Sequence, residues 1–176
     1  MPVNSLIPWL RRQVCAAFVL VVAAASPAFA GDLPDPHRTP GVLNPDVTQD
    51  NIARTVCVKG WTKTIRPPTY YTNALKKRQI REYGYRDTNP RDYEEDHLVP
   101  LSVGGHPTDP RNLWPEPRNS EWSAERKDRL EYALYRAVCA GDISLADAQR
   151  AFATDWIVAY GRYAHLLRRY SRGFAD

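Results

Sequence analysis

The sequence is poor in cysteine and methionine, with three cysteines and one methionine in 176 residues. It contains no C-x-x-C pair, which disfavours a structural zinc cluster because such sites commonly use cysteine pairs at that spacing. It has a single long apolar run, at residues 14–25. A protein with several membrane spans is therefore excluded, since each span needs about twenty apolar residues.

The one apolar run has the layout of a secretory signal peptide. Two arginines precede residues 14–25, and the Ala-Phe-Ala at 28–30 matches an A-x-A cleavage site. A run of about a dozen residues is too short to anchor the chain across a bilayer. We therefore expect residues 1–30 to be removed, and the mature chain to be periplasmic or secreted without a membrane span.

Two cysteines, Cys57 and Cys139, lie beyond the predicted signal peptide. An even cysteine count in an exported chain favours a disulfide, because the compartments outside the cytosol are oxidising. The alternatives are two buried free thiols or a metal-binding pair. We predict the disulfide Cys57–Cys139.

The remaining chain reads as one domain, taken as a monomer. Residues 31–48 are rich in Pro, Asp and Gly and predict an extended lead-in that is not packed, while residues 49–176 form the domain. Helical spacing and cap residues predict four helices, at 73–83 with Thr72 or Asn73 as N-cap, at 120–139 after Ser120, at 145–160 after a Ser144–Asp147 capping box, and at 162–172.

Two short apolar segments lie between the first and second predicted helices. The run LVPL at 98–101 predicts a strand, Gly104-Gly105 a turn, and the run NLWP at 112–115 a second strand. The predicted order is therefore strand, loop, strand, helix.

Charge is unevenly distributed along the domain. Residues 51–86 hold nine basic residues against one acid, whereas residues 87–131 hold six basic residues against eleven acids. A basic segment with interspersed aromatics is typical of phosphate-backbone binding, although a solvated helix face is the simpler explanation. The candidate phosphate contacts are Lys76, Lys77, Arg78, Arg118 and Lys127.

These pieces together resemble the HNH endonuclease family, whose core is the ββα-metal fold. The resemblance covers residues 96–128: D-H-L-V-P-L from Asp96, then Gly-Gly, then D-P-R-N-L ending just after Asn112, then a helix. It implies an α+β protein with a ββα-metal core, flanked here by helices.

The resemblance also assigns roles. His97 would be the general base, Asp96 a metal ligand, and Asn112 would brace the loop and orient His97. Neighbouring residues of a strand point to opposite faces, so Asp96 and His97 can share one site only where the backbone bends.

The chain departs from the family at the third position, usually a histidine on the helix, because no histidine lies between residues 107 and 164. We favour Asn119 as the second metal ligand, followed by Glu121 and Asp128. A ligand set made only of oxygens suits Mg²⁺ or Mn²⁺ better than Zn²⁺.

The expected function is metal-dependent hydrolysis of phosphodiester bonds in DNA or RNA. Histidine near neutral pKa suits a general base, and a divalent ion suits the developing charge on phosphorus. The alternative is a non-catalytic exported module that keeps the fold and binds nucleic acid or another polyanion.

Overall fold

A computed structural model describes Met1 and residues 31–170. The predicted signal peptide, apart from Met1, lies outside the described residues. Within residues 31–170, none of the helices combines the length and the apolar character that a membrane crossing requires.

The described chain is α+β, as predicted, and its sheet has two antiparallel strands. Short 3-10 turns join the longer elements. In chain order these are α1 (Trp61–Ile65), α2 (Thr69–Glu82), β1 (Tyr93–His97), β2 (Leu113–Pro117), α3 (Ala124–Ala140), α4 (Leu145–Arg162) and α5 (Ala164–Tyr170).

The first strand precedes the apolar run at 98–101, so the prediction that placed a strand on that run is wrong. β1 pairs with β2 from Tyr93 opposite Pro117 to His97 opposite Leu113. Beyond His97 the chain leaves the ladder, because Pro100 has no N–H to donate and a 3-10 turn follows at Leu101–Val103. The apolar run enters the core instead. The second strand is confirmed, shifted by one or two residues.

Two predicted helix starts are displaced. α2 begins at Thr69, directly after Pro68, and not at Thr72 or Asn73. The fixed φ of proline and its missing N–H suit a position at a helix start. α3 begins only at Ala124, because the residues before it form turns that place Trp122 edge-on against Trp156, with 5.9 Å between ring centroids.

The cap of α4 is where the sequence predicted it. The Ser144 hydroxyl accepts a hydrogen bond from the Asp147 backbone N–H at 3.0 Å. This bond satisfies one of the free donors at the helix start. The helix then runs to Arg162 with a kink at Asp155.

The main core lies between β2, α3 and α4. The centre of this core consists of five large side chains, each at most 1% exposed: Trp114 of β2, Leu130 and Leu134 of α3, and Phe152 and Trp156 of α4. Trp114 therefore packs under α3 and α4, while Glu94 and Asp96 on the same face of the sheet line a cleft.

The predicted disulfide is present. Cys57 and Cys139 are bonded, with 5.6 Å between their Cα atoms and a separation of 82 positions in sequence. The bond joins the end of α3 to the segment before α1. A crosslink that closes a loop of this length should stabilise the fold by about 4 kcal/mol.

The lead-in at 31–48 contains no helix, but it packs against the domain, contrary to prediction. Thr39 and Val47 are 1% and 6% exposed. Leu43 forms an isolated bridge with Gly105. The lead-in thereby covers the loop between β1 and β2.

Candidate active site

β1 separates the two residues that the resemblance places together. The register with β2 is continuous through Asp96 opposite Trp114 and His97 opposite Leu113. Their side chains therefore leave the strand on opposite faces. Asp96 points to the α3 side with Trp114. His97 points to the other side, toward the loop before β2, so the bend needed for one shared site does not occur within the strand.

The His97 ring is held by the loop. Its Nε2 lies 2.9 Å from the carbonyl oxygen of Pro107. A carbonyl only accepts hydrogen bonds, so Nε2 carries the hydrogen, and Nδ1 holds the lone pair of the neutral ring. Burial lowers the pKa of His97, although Asp96 and the Pro107 carbonyl oppose that shift. The ring is therefore neutral at pH 7 and able to accept a proton.

Asn112 braces this loop, as the resemblance implies. Its side-chain oxygen accepts from the Val99 N–H at 2.9 Å, and its amide donates to the carbonyls of Val99 and His106, both at 3.0 Å. None of its side-chain hydrogen bonds within the described residues reaches the His97 ring. Asn112 therefore acts on His97 only through the position of the loop.

Gly105 makes the close approach of the loop to β1 feasible. A Cβ at this position would lie 1.7 Å from the Val99 carbonyl oxygen and 2.8 Å from the Asn112 amide nitrogen. Any side chain at this position would therefore displace both the strand end and the asparagine brace.

On the other face, Asp96 is paired with a buried lysine. The Lys127 ammonium donates a hydrogen bond to Asp96 Oδ2 and a second to the carbonyl oxygen of His97 at 2.8 Å. Lys127 is 0% exposed. Burial would raise the pKa of Asp96, but the charge of Lys127 and its hydrogen bond outweigh burial and lower that pKa to about 2. Asp96 is therefore ionised, and the Lys127 ammonium balances its negative charge.

This placement corrects one predicted role. Lys127 was expected on the helix surface, where it could contact a phosphate, and that expectation is wrong because its ammonium is buried between α3 and β1. A buried ammonium needs acidic or carbonyl partners, and two strands supply them.

Three more carboxylates surround the Lys127–Asp96 pair. Glu116 of β2 is 0% exposed, its Oε2 lies 3.9 Å from the Lys127 nitrogen, and no N–H or hydroxyl of the described residues donates a hydrogen bond to its oxygens. Burial raises its pKa well above the usual value. Burial also raises the pKa of Glu131, and raises that of Asp128 to about 7, with Asp96 adding to both shifts.

The structure separates Asn119 from Asp96. Asn119 follows the strand end where Tyr93 pairs with Pro117, and its amide donates to Asp92 at 3.3 Å. Asp96 lies three residues beyond Tyr93, which is about 10 Å further along β1. Glu121 is 75% exposed and nearest to Arg126. The last-ranked candidate, Asp128, is the one that lines the same cleft as Asp96.

The expected metal ion does not fit the residues that surround Asp96. An ammonium already occupies the carboxylate that would bind the ion, and Asn119 is not there. Within the described residues, no three His, Cys, Asp or Glu side chains are grouped to hold a metal ion.

Three of the five basic residues predicted to contact phosphate line one cleft; Arg78 and the buried Lys127 do not. Lys76, Lys77 and Arg118 line a cleft of about 410 Å³ together with Arg91, which the sequence reading missed. Arg78 instead faces Glu82, 3.4 Å away along α2. We call the cleft formed by Lys76, Lys77, Arg91 and Arg118 the basic cleft.

The sequence indicates a solvated position before the site for Glu95, and this expectation is wrong because its carboxyl oxygens are buried. Glu95 leaves β1 on the same face as His97, and within the described residues neither of these oxygens has a hydrogen-bond partner. Burial raises its pKa to about 8, against the charge of Lys76. The signal was available in the alternation of the strand, since residues 95 and 97 must share a face.

Comparison with known proteins identifies no relative. No family model, no curated protein and no solved structure matches this chain.

Proposed function

We propose that the protein hydrolyses phosphodiester bonds of DNA or RNA, with His97 as general base. The observation that carries the proposal is the hydrogen bond between His97 Nε2 and the Pro107 carbonyl. It fixes the tautomer that leaves Nδ1 free to take a proton from water. The depressed pKa keeps that nitrogen unprotonated at neutral pH.

The framework around His97 supports the same proposal. A strand ending in Asp-His, a loop closed by Gly105 and Asn112, a second strand and then a helix follow in the order that the resemblance implies. The HNH-like core remains part of the proposal. No step of the mechanism is assigned to a metal ion, because the residues around Asp96 do not fit one.

The basic cleft supports a polyanionic substrate. Its lining includes Tyr93, the first residue of β1. His97 is the last residue of β1, so the two are about 13 Å apart along the strand. The cleft would therefore bind phosphates that flank the bond being cut. Such contacts attach the backbone without reading its sequence.

We also propose that the protein works outside the cytosol, in the periplasm or the medium. The Cys57–Cys139 disulfide supports this location, since such bonds persist in oxidising compartments. Fractionation of producing cells, with N-terminal sequencing of the exported chain, tests it. An N-terminus at Gly31 is expected, and a full-length reduced chain in the cytosol would contradict it.

Cleavage of plasmid DNA and of RNA by the purified chain tests the activity. His97→Ala should lower the rate by about 10²–10⁴-fold, the usual contribution of a general base. His165→Ala is the matched control, because His165 is exposed on α5. Equal cutting by wild type and His97→Ala would contradict the assignment of the base.

One observation favours a second candidate, the non-catalytic polyanion-binding module. His97 is only 4% exposed, and Asp96 is already neutralised by Lys127. That candidate predicts salt-dependent binding to nucleic acid that survives His97→Ala, with no cleavage by wild type under any condition.

A further inference from the structure

The Lys127 ammonium has the surroundings of a bound cation. It lies between the carboxylate of Asp96, the backbone carbonyl of His97 and the carboxylate of Glu116. These are oxygen ligands of the kind that hard divalent ions take. Asp128 and Glu131 add negative charge from α3 itself, and Arg66 is the one basic residue among those lining the adjoining cleft.

Lysine is an unusual residue in such a place. A buried lysine is rare unless it is fully paired, and this one is 0% exposed on a helix that otherwise presents apolar residues to the core. Its stem passes the Phe152 ring, with the nitrogen 5.7 Å from the ring centre. The helix thus delivers a positive charge through an apolar layer to the acidic side chains behind β1.

An ammonium and a divalent ion exclude each other here. Lysine has donors and no lone pair when charged, so it cannot be a ligand. A metal ion on Asp96 would lie against the ammonium that already donates to that carboxylate. Burial raises the pKa of Glu116 well above its usual value and favours its neutral form, so the single charge of the ammonium is matched to the charge of Asp96.

We propose that the Lys127 ammonium is the resident cation of this centre, standing where the HNH resemblance places a divalent metal ion. The protein then binds no divalent ion at Asp96 and keeps its structure without one. The inference goes beyond the proposed function, because Asp96 and Lys127 lie on the face of the sheet opposite the His97 ring. Lys127 itself is a positioning residue, because its nitrogen is buried and reaches the strand that carries His97, not solvent.

Metal binding to the folded chain tests the proposal without any activity assay. In calorimetry with Mn²⁺ alone, wild type should show no site that involves Asp96, and its unfolding midpoint should be the same in EDTA and in excess Mn²⁺. Lys127→Ser removes the ammonium and opens the space. It should gain one Mn²⁺ site, and saturating Mn²⁺ should raise its midpoint by about 2–4 °C or more.

Lys77→Ser is the matched control, because Lys77 is exposed on α2. It should behave as wild type in both measurements. A wild-type Mn²⁺ site that Asp96→Asn abolishes would overturn the proposal, and so would a folded Lys127→Ser chain that gains no site. If Lys127→Ser does not fold without metal, its folding in Mn²⁺ would support the proposal. The wild-type titration remains decisive in that case, since a Mn²⁺ site at Asp96 in wild type would overturn the proposal.

The two proposals fail in different ways. Absence of nuclease activity with an empty, EDTA-insensitive wild-type centre would end the proposed function and leave the lysine assignment standing. A nuclease that loses all activity in EDTA and binds Mn²⁺ through Asp96 would overturn the lysine assignment and leave the nuclease proposal standing.

Discussion

The two faces of the small sheet treat buried carboxylates differently. On the α3 face, the ammonium of buried Lys127 neutralises Asp96 next to the buried Glu116, at the edge of a cleft that Asp96 lines. On the α2 face, Glu95 has no hydrogen-bond partner for its buried oxygens, and the nearest basic side chains, Lys76 and Arg78, belong to an accessible helix. One strand thus supplies an acid that Lys127 neutralises on one face, and on the face that carries His97 a buried acid without a hydrogen-bond partner among the described residues.

The comparison separates structural charge from chemical charge. A buried ion pair with a shared cation holds elements together and is costly to break from one side. An unpaired carboxyl beside a neutral histidine is costly to the fold and is typical of sites where protons move. We therefore place the chemistry on the His97 face and the structural electrostatics on the α3 face.

Removing the Lys127 ammonium should give the largest effect. Lys127→Met keeps most of the stem and leaves the Asp96 carboxylate without its cation, so the free energy of unfolding should fall by about 3–5 kcal/mol at pH 7. Urea denaturation followed by tryptophan fluorescence measures it. The same substitution at exposed Lys77 should stay within about 0.5 kcal/mol. A change below 1 kcal/mol at Lys127 would show that the α3 face does not depend on this charge.

Glu95 should make the fold less stable as pH rises. Its pKa is about 8 in the folded chain and near the ordinary value of 4.5 when the chain is unfolded. The folded state then binds more protons between these values, so this contribution to stability is complete below pH 4.5 and is lost as pH rises to about 8.

Glu95→Gln should remove that loss. The free energy of unfolding of the variant, relative to that of wild type, should rise between pH 4.5 and pH 8 by on the order of 3 kcal/mol. No such rise is expected at pH 4. Denaturation curves across this range measure it. Glu94→Gln, on the other face, is the control. A pH-independent difference between Glu95→Gln and wild type would mean that Glu95 is solvated.

The basic cleft should contribute little to stability and modestly to binding. Lys77→Ala and Arg91→Ala should each weaken binding to DNA of any sequence and lower the slope of log affinity against log salt by about 1. Fluorescence anisotropy at several salt concentrations measures this slope. Arg129→Ala, paired with Glu125 on α3, should leave the slope unchanged. Equal effects from all three would place the polyanion elsewhere.

Local signals in the sequence were enough for part of the fold. The Ser144 cap, the second strand and the cysteine pair rest on neighbouring residues or on residue type, and each is present. The first strand was misplaced because apolar content was taken for strand. The actual β1, YEEDH, contains three acidic residues. Their place in a strand is explained only by distant contacts, such as that of Asp96 with Lys127.

The site was harder to predict because its contacts are distant in sequence. Lys127 and Asp96 are 31 residues apart, and nothing near Lys127 in the chain indicates that it is buried. Asn119 was favoured from its place in the motif, whereas strand length and register put it at the wrong end of β1. The alternation of β1 did separate Asp96 from His97, and it could have paired Glu95 with His97.

The most direct test of the account is the rate of DNA cleavage by the purified chain between pH 5 and pH 9, in EDTA and in Mg²⁺. We predict cutting in both, with an acid limb whose midpoint lies below 6.5, the ordinary pKa of histidine, because burial lowers the pKa of His97. His97→Ala should lose the activity and the limb. Cutting that requires Mg²⁺ and survives His97→Ala would contradict the account.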